Sequence, residues 1–205
     1  ANANITSFKN SGTINGNINN EETITSINNS GIITGEIVSG SNGQTSQIDK
    51  IINTGTIGTA KTKVATFKTL VASNQDVSSN FNDAISLNTI TTTEISNGGL
   101  INGNIRVKGQ SDIQELNNTD TIAGCIILEG GRIGKINNTN GATANCMSFS
   151  SGANVDNLNN SGTIKDKITN NSGSITIDNS GSGSIGGITT SNGGTTNISN
   201  GGFQN

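Results

Sequence analysis

The chain contains no histidine, proline, tryptophan or tyrosine, and only five phenylalanines among its 205 residues. Without histidine, Ser-His-Asp and Cys-His catalytic arrangements and histidine-bearing metal sites are excluded. The net charge is -3, and with so few aromatic rings the chain has neither the basic surface nor the stacking platform that nucleic acids require. No apolar stretch reaches the length of a membrane span. We therefore expect no nucleic-acid partner and no membrane span in this fragment, which begins at Ala1 and which we interpret as a processed product.

Charged residues are also scarce, at 12%, and hydrophobic residues reach only 29%. A polar, low-complexity composition is typical of disorder, but disordered chains also tend to be rich in charge and proline. Isoleucine is the one abundant apolar residue here. A folded chain of this composition must therefore bury its isoleucines.

The chain repeats one short pattern. Residues 10–18 read N-S-G-T-I-N-G-N-I, and residues 97–105 read N-G-G-L-I-N-G-N-I. Further copies begin at Asn29, Asn53, Asn118, Asn138, Asn160, Asn179 and Asn200. Successive copies start 19 to 24 residues apart, except for one gap of 44 between Asn53 and Asn97. We interpret that gap as two periods with a degenerate copy near Asn74.

Each copy has the local pattern of turn and strand. Isoleucines four residues apart, such as Ile101 and Ile105, share one face of a strand, and N-[ST]-G is turn chemistry. A unit of this size cannot bury its own isoleucine face, but stacked units can, with isoleucine over isoleucine inside and asparagine over asparagine at the turn. The sequence thus predicts an all-β fold, a right-handed single-stranded parallel β-helix of about nine or ten rungs of about 20–22 residues. One domain spans residues 1–205; an array of small β-hairpin modules is the alternative. Ile101 is expected to face inward and Asn104 outward.

One region, residues 59–94, lacks the repeat pattern. It holds the only dense lysine cluster, Lys61, Lys63 and Lys68. We interpret the region as degenerate rungs with an enlarged loop, with a short helical excursion as the alternative. It either closes one edge of the stack or protrudes and carries a partner-contacting surface made by these lysines.

The two cysteines, Cys125 and Cys146, lie 21 residues apart, which is one period. Adjacent rungs are close enough for a disulfide, although strictly stacked Cβ atoms would be slightly too far apart. A disulfide, a buried free thiol and an exposed free thiol all stay open at this stage.

No catalytic, cofactor or metal site is predicted. Glu21 and Glu22 are adjacent and would face opposite sides of a strand, and Asp112 and Glu115 fit solvated surface charge. We therefore expect no cofactor and no enzymatic activity. A polysaccharide-processing β-helix enzyme and an ice-binding solenoid remain as lesser alternatives.

The N-S-G-T-I-x-G-x-I repeat resembles the passenger region of Gram-negative autotransporters, above all the Asn/Ile/Gly-rich repeats of Helicobacter and Campylobacter autotransporters, including relatives of the vacuolating cytotoxin. It also resembles the β-helices of two-partner-secreted haemagglutinin-type proteins. The resemblance implies secretion to the outer-membrane cell surface and a part in adhesion, aggregation or toxin delivery. It suggests a virulence-associated adhesin or rigid stalk. Its partner would be a host-cell surface, an extracellular protein or glycan, or a second copy of itself.

Overall fold

The computed structural model describes residues 4–40, 46–59 and 81–201, and every regular element in these ranges is a β-strand. Ten strands form sheet 1: β1 Asn4–Ile5, β2 Phe8–Asn10, β5 Thr23–Asn29, β8 Gln47–Asn53, β11 Thr91–Asn97, β14 Asp112–Asn118, β16 Arg132–Asn138, β18 Asn154–Asn160, β20 Ser174–Asn179 and β22 Thr195–Asn200. Twelve strands form sheet 2: β3 Thr13–Ile14, β4 Ile18–Asn20, β6 Ile32–Ile33, β7 Ile37–Ser39, β9 Thr56–Ile57, β10 Asp83–Asn88, β12 Leu100–Ile101, β13 Asn104–Lys108, β15 Thr121–Glu129, β17 Thr143–Ser150, β19 Thr163–Asn171 and β21 Ser184–Ser191.

The chain alternates between the two sheets and pairs each strand in parallel with the equivalent strand of the next turn. Strand β14, for example, pairs with β11 on one side and with β16 on the other. The predicted all-β parallel solenoid is therefore confirmed, with about eight turns. These turns correspond to a stack about 40 Å long at the usual strand spacing of about 4.8 Å.

Columns of isoleucine form the interior. One column lies in sheet 2 and consists of successive register partners: Ile14, Ile33, Ile57, Ile101 and Ile122. All but the first of these side chains are fully buried. Because each turn adds an isoleucine to the same column, the repeat supplies a continuous apolar core that no single turn could form.

The 44-residue gap between Asn53 and Asn97 is one turn, so its interpretation as two periods is wrong. The predicted degenerate copy near Asn74 lies outside the described residues. Strand β8 pairs directly with β11, and Asn53 is the register partner of Asn97. The described sheet-2 strands of this turn are β9 and β10, and β10 pairs with β7 and β13. The solenoid has fewer turns than the nine or ten predicted because this one turn uses twice the usual length of chain.

Of the region predicted to be irregular, the part from Asp83 onward consists of regular strands, β10 and the start of β11. Lys61, Lys63 and Lys68 lie outside the described residues.

The expectation that Asn104 faces solvent is also wrong. Its side chain is fully buried. Its amide nitrogen donates to the carbonyl of Phe81 at 3.2 Å, and its amide oxygen accepts the backbone N–H of Cys125 at 2.9 Å. Asn104 therefore lies beside a break in the sheet-2 ladder, where the register shifts between β10 and β13.

Candidate interaction surface

A ladder of asparagine side chains marks the corner where each turn passes from sheet 1 to sheet 2. The ladder consists of Asn10, Asn29, Asn53, Asn97, Asn118, Asn138, Asn160, Asn179 and Asn200. Each side-chain nitrogen donates to the side-chain oxygen of the next member, at 2.7–2.9 Å up to Asn179 and at 3.3 Å for the last pair. The first seven members are buried. The predicted stacking of asparagine over asparagine is confirmed.

Each ladder amide also satisfies backbone groups of the turn. The side-chain nitrogen of Asn118 donates to the carbonyls of Asp120 at 3.2 Å and Thr143 at 3.1 Å. At four corners, the hydroxyl group of the residue after the ladder asparagine donates to the backbone carbonyl of the ladder asparagine in the preceding turn. Thr119, for example, donates to the carbonyl of Asn97 at 3.1 Å. The corner therefore has the density of internal hydrogen bonds that a buried polar element requires.

An open groove follows the outer side of this corner over the first three turns, with a volume of about 340 Å³. It is lined by Lys9, Asn10, Ser11, Asn28, Asn29, Ser30, Ile52 and Thr54. The lining contains amides, hydroxyls, one cation and one branched apolar side chain, and no carboxylate. The volume lies at the lower end of the range of about 300–1,000 Å³ that is usual for ligand sites.

Two residues of the groove depart from the pattern of their column. The position before each ladder asparagine faces outward and is occupied, in register, by Lys9, Asn28, Ile52, Ser96, Asn117, Asn137, Asn159, Asp178 and Ser199. Lys9 is the only cation of the column, and Ile52 is its only apolar member. Sequence reasoning missed this site, although Ile52 alone breaks an otherwise polar position of the repeat.

Five ion pairs link one turn to another among the described residues. Arg106 binds Asp83 at 2.8 Å and Glu129 at 2.5 Å, Arg132 binds Asp112 at 3.0 Å and also Asp156, and Lys50 binds Glu94 at 3.3 Å. Asp112 therefore pairs with an arginine on the surface. Glu115, the other carboxylate considered above, accepts a hydrogen bond from Asn137 at 2.9 Å.

The surroundings of Glu36 shift the pKa of its carboxyl group. Partial burial raises the pKa of Glu36 above its ordinary value, and the negative charge of Asp83 raises it further. A hydrogen bond from Ser86 and the cations of Lys108 and Arg106 act in the opposite direction but do not cancel the effect. The ionised form of Glu36 is consequently less stable in the folded protein than in water.

Cys125 and Cys146 are register partners on β15 and β17, and their sulfur atoms are joined as a disulfide. Their Cα atoms lie 4.5 Å apart, which is within the usual disulfide range of about 4.4–6.8 Å. Both lie with Ile127 in a small buried cluster separate from the main core. Cys146 precedes the inward Met147, which stacks on Ile126. It therefore does not occupy the inward position.

The described ranges contain no group of three or more His, Cys, Asp or Glu side chains that could hold a metal ion. They contain no helix long and apolar enough to cross a membrane. Comparison of the chain with protein-family models, with curated proteins and with solved structures gives no match.

Proposed function

We propose that this chain is a non-enzymatic, rigid segment of a secreted or outer-membrane surface protein, acting as an adhesin or as the stalk that presents one. The observation that carries the proposal is the unbroken stack of about eight parallel turns. Such a stack holds outward side chains in straight columns and keeps whatever it carries at a fixed distance from its base. The resemblance of the repeat to autotransporter passengers supports the same reading.

The chemistry of the outer surface supports a binding role over a catalytic one. Several carboxylates on the surface, such as Asp83, Asp112 and Glu129, form ion pairs with arginines of neighbouring turns. Glycoside hydrolysis would need two carboxyl groups facing each other over a bound sugar. The Cys125–Cys146 pair fits an oxidising, extracellular setting.

Binding of the folded protein to host cells tests the proposal. Fluorescently labelled protein should bind cultured epithelial cells in a saturable manner that unlabelled protein competes away. Protein that has been reduced and heat-unfolded is the control. Binding no stronger than that of the control would contradict an adhesive role.

A contribution of Lys61, Lys63 and Lys68 to this binding remains a prediction of the sequence. Replacing the three lysines with serine should weaken cell binding more at low salt than at high salt, because exposed charges are screened by salt. The melting temperature should stay nearly unchanged. Undiminished binding by the folded triple variant would move the contact to the regular faces of the solenoid.

Self-association is a second candidate function, and a regular outward column of asparagines favours it. Asn117, Asn137 and Asn159 are register partners on the outer face of sheet 1, and side-chain hydrogen bonds of 2.7 and 2.9 Å join them. Two such polar faces can pair along their length. Light scattering over a range of concentrations should then show a mass that rises from monomer to dimer. A constant monomer mass would remove this candidate.

A further inference from the structure

We propose that the groove at the asparagine corner binds a short segment of an acidic linear glycan, one that carries carboxylate or sulfate groups. The proposal rests on the adhesive function proposed above and gives it a specific site. It starts from the coincidence of three independent features over the same three turns: the groove itself, the single cation of the column and its single apolar side chain.

Lys9 indicates the sign of the ligand's charge. Its side chain is exposed, and among the described residues no carboxylate forms an ion pair with it. None of the other lining residues is acidic. An anionic group of a ligand can therefore approach the ammonium group without a competing partner on the protein, and a charge-assisted hydrogen bond is the strongest contact that this lining can offer.

The polar lining has groups that match sugar hydroxyls. Ser30 and Thr54 donate their hydroxyl hydrogens to backbone carbonyls at 3.2 and 3.4 Å, so each hydroxyl oxygen can accept from a ligand. Asn28 donates to Ser26 at 3.1 Å, and its amide oxygen is directed to no donor among the described residues. Ser11 is exposed and can act as donor or acceptor. These groups recur from turn to turn at about 4.8 Å, which suits a polymer that presents hydroxyls at regular intervals.

Ile52 supplies the apolar contact that a sugar ring needs on its C–H face. It is half-buried and lies between Asn28 and Ser96 in the column. A protein partner would need roughly 800 Å² of contact on this side with a buried apolar centre, whereas one isoleucine and a narrow polar groove fit a thin, hydroxylated chain. A single lysine is also too little positive charge for a nucleic-acid backbone.

Binding of three labelled oligosaccharides to the full chain tests the site. A heparin tetrasaccharide carries sulfate groups, a hyaluronan tetrasaccharide carries carboxylates, and chitotetraose is neutral. Fluorescence anisotropy should show binding of at least one acidic probe and weaker binding of the neutral one, with a difference that shrinks as salt is added. The sulfated and carboxylated probes together identify which anionic group is preferred.

Two variants and a matched control locate the binding. Lys9→Ser should lower the affinity for the acidic probe by about tenfold, the usual effect of one charge-assisted hydrogen bond, and should abolish the preference over chitotetraose. Ile52→Asn places in the groove the residue found at Asn28 and Asn117 of the same column, so it should fold normally and weaken the binding of every probe. Lys135→Ser removes an exposed cation that lies five turns away along the same outer face of sheet 1, and it should leave binding unchanged.

The proposal is overturned if no acidic probe binds, if acidic and neutral probes bind equally, or if the folded Lys9 and Ile52 variants bind as the wild type does. An equal loss on Lys135→Ser would show non-specific attraction and would overturn it as well. Failure of the groove and failure of the adhesive function are distinguishable. Cells bound without any oligosaccharide binding would remove only the groove, and oligosaccharides bound without cell binding would remove only the adhesive function.

Discussion

At the scale of single residues, asparagine has two roles that alternate along four of the sheet-1 strands, β5, β14, β16 and β18. In the pair Asn117-Asn118, the first side chain is outward and half-buried, and the second is buried in the corner ladder. Both carry the same functional group. Their different surroundings follow from the alternation of side chains along a strand, which places only the second one inside.

Removing a ladder amide should cost far more than removing its neighbour. Asn118→Ala leaves Asn138 without its donor and Asn97 without its acceptor in a buried corner, and we expect a loss of about 2–3 kcal/mol in the free energy of unfolding. Asn117→Ala is the matched control, and its cost should stay below about 1 kcal/mol. Urea unfolding of both variants measures the difference. Equal costs would show that the ladder contributes nothing particular to stability.

Thr92 is a polar residue in an isoleucine column. It is fully buried, its register partner is Ile113, and its hydroxyl oxygen has no hydrogen-bond partner. Thr92→Val keeps the shape and removes the unpaired hydroxyl, so it should stabilise the fold by about 1 kcal/mol. Thermal unfolding checks this prediction. A destabilised valine variant would mean that the hydroxyl has a partner after all.

Glu36 should make stability depend on pH in the direction opposite to most carboxyl groups. Its pKa is higher in the folded chain than its ordinary value, so the folded state binds the proton more tightly than the unfolded state does. Its contribution is therefore favourable at low pH and is lost as the pH rises through the folded pKa. The difference in stability between Glu36→Gln and the wild type should grow in favour of the variant between acidic and neutral pH. A difference that is constant with pH, or that favours the wild type at neutral pH, would contradict the assigned cause.

At the scale of elements, the middle of sheet 2 requires close contact between backbones. A Cβ atom on Gly124 would lie 2.4 Å from the backbone carbonyl carbon and oxygen of Gly103, whereas one on Gly187 would meet nothing closer than 3.8 Å. Gly103 and Gly124 are in register, because Ile101 pairs with Ile122 before them and Ile105 pairs with Ile126 after them. The absence of a Cβ atom on Gly124 lets the two turns stack at strand spacing.

Gly124→Ala should therefore force the two turns apart and lower the free energy of unfolding by about 1–3 kcal/mol. Gly187→Ala, in the equivalent part of strand β21, is the control and should change stability by less than about 0.5 kcal/mol. Guanidinium unfolding of the two variants gives the comparison. A tolerated alanine at position 124 would indicate that the turns are not packed as closely as described.

The sequence predicts the elements of this fold well where the repeat is complete. Spacing and residue type together predict the isoleucine columns and the asparagine corner, because both are dictated by stacking. The position of the groove could not be predicted in the same way. It depends on how two exceptional residues, Lys9 and Ile52, come together with small turn residues from three different turns.

At the scale of the whole molecule, the 44-residue gap shows that the spacing of repeat copies does not by itself predict the number of turns. A length of two periods is compatible with two turns or with one turn that carries an insertion, and the residue count does not distinguish them. The distinguishing signal lies in the residues themselves. Ile57 and Ile85 pair with Ile33 and Ile37, the two isoleucines of a single copy of the repeat. The sequence between Ile57 and Ile85 contains no second copy of the N-[ST]-G motif.

The most direct test of the whole account is a cysteine cross-link across this turn. Ile52 and Ser96 are 44 residues apart in sequence but are register partners on neighbouring turns, in the same relation as Cys125 and Cys146. After mild oxidation of Ile52→Cys/Ser96→Cys, peptide mapping should find a 52–96 disulfide together with the native 125–146 disulfide. The control pair, Ile52→Cys/Asn117→Cys, spans two turns and about 9.6 Å, beyond the reach of a disulfide. Free thiols at positions 52 and 96, or equal cross-linking of the control pair, would contradict a continuous solenoid in which every turn places its asparagine corner on the one before.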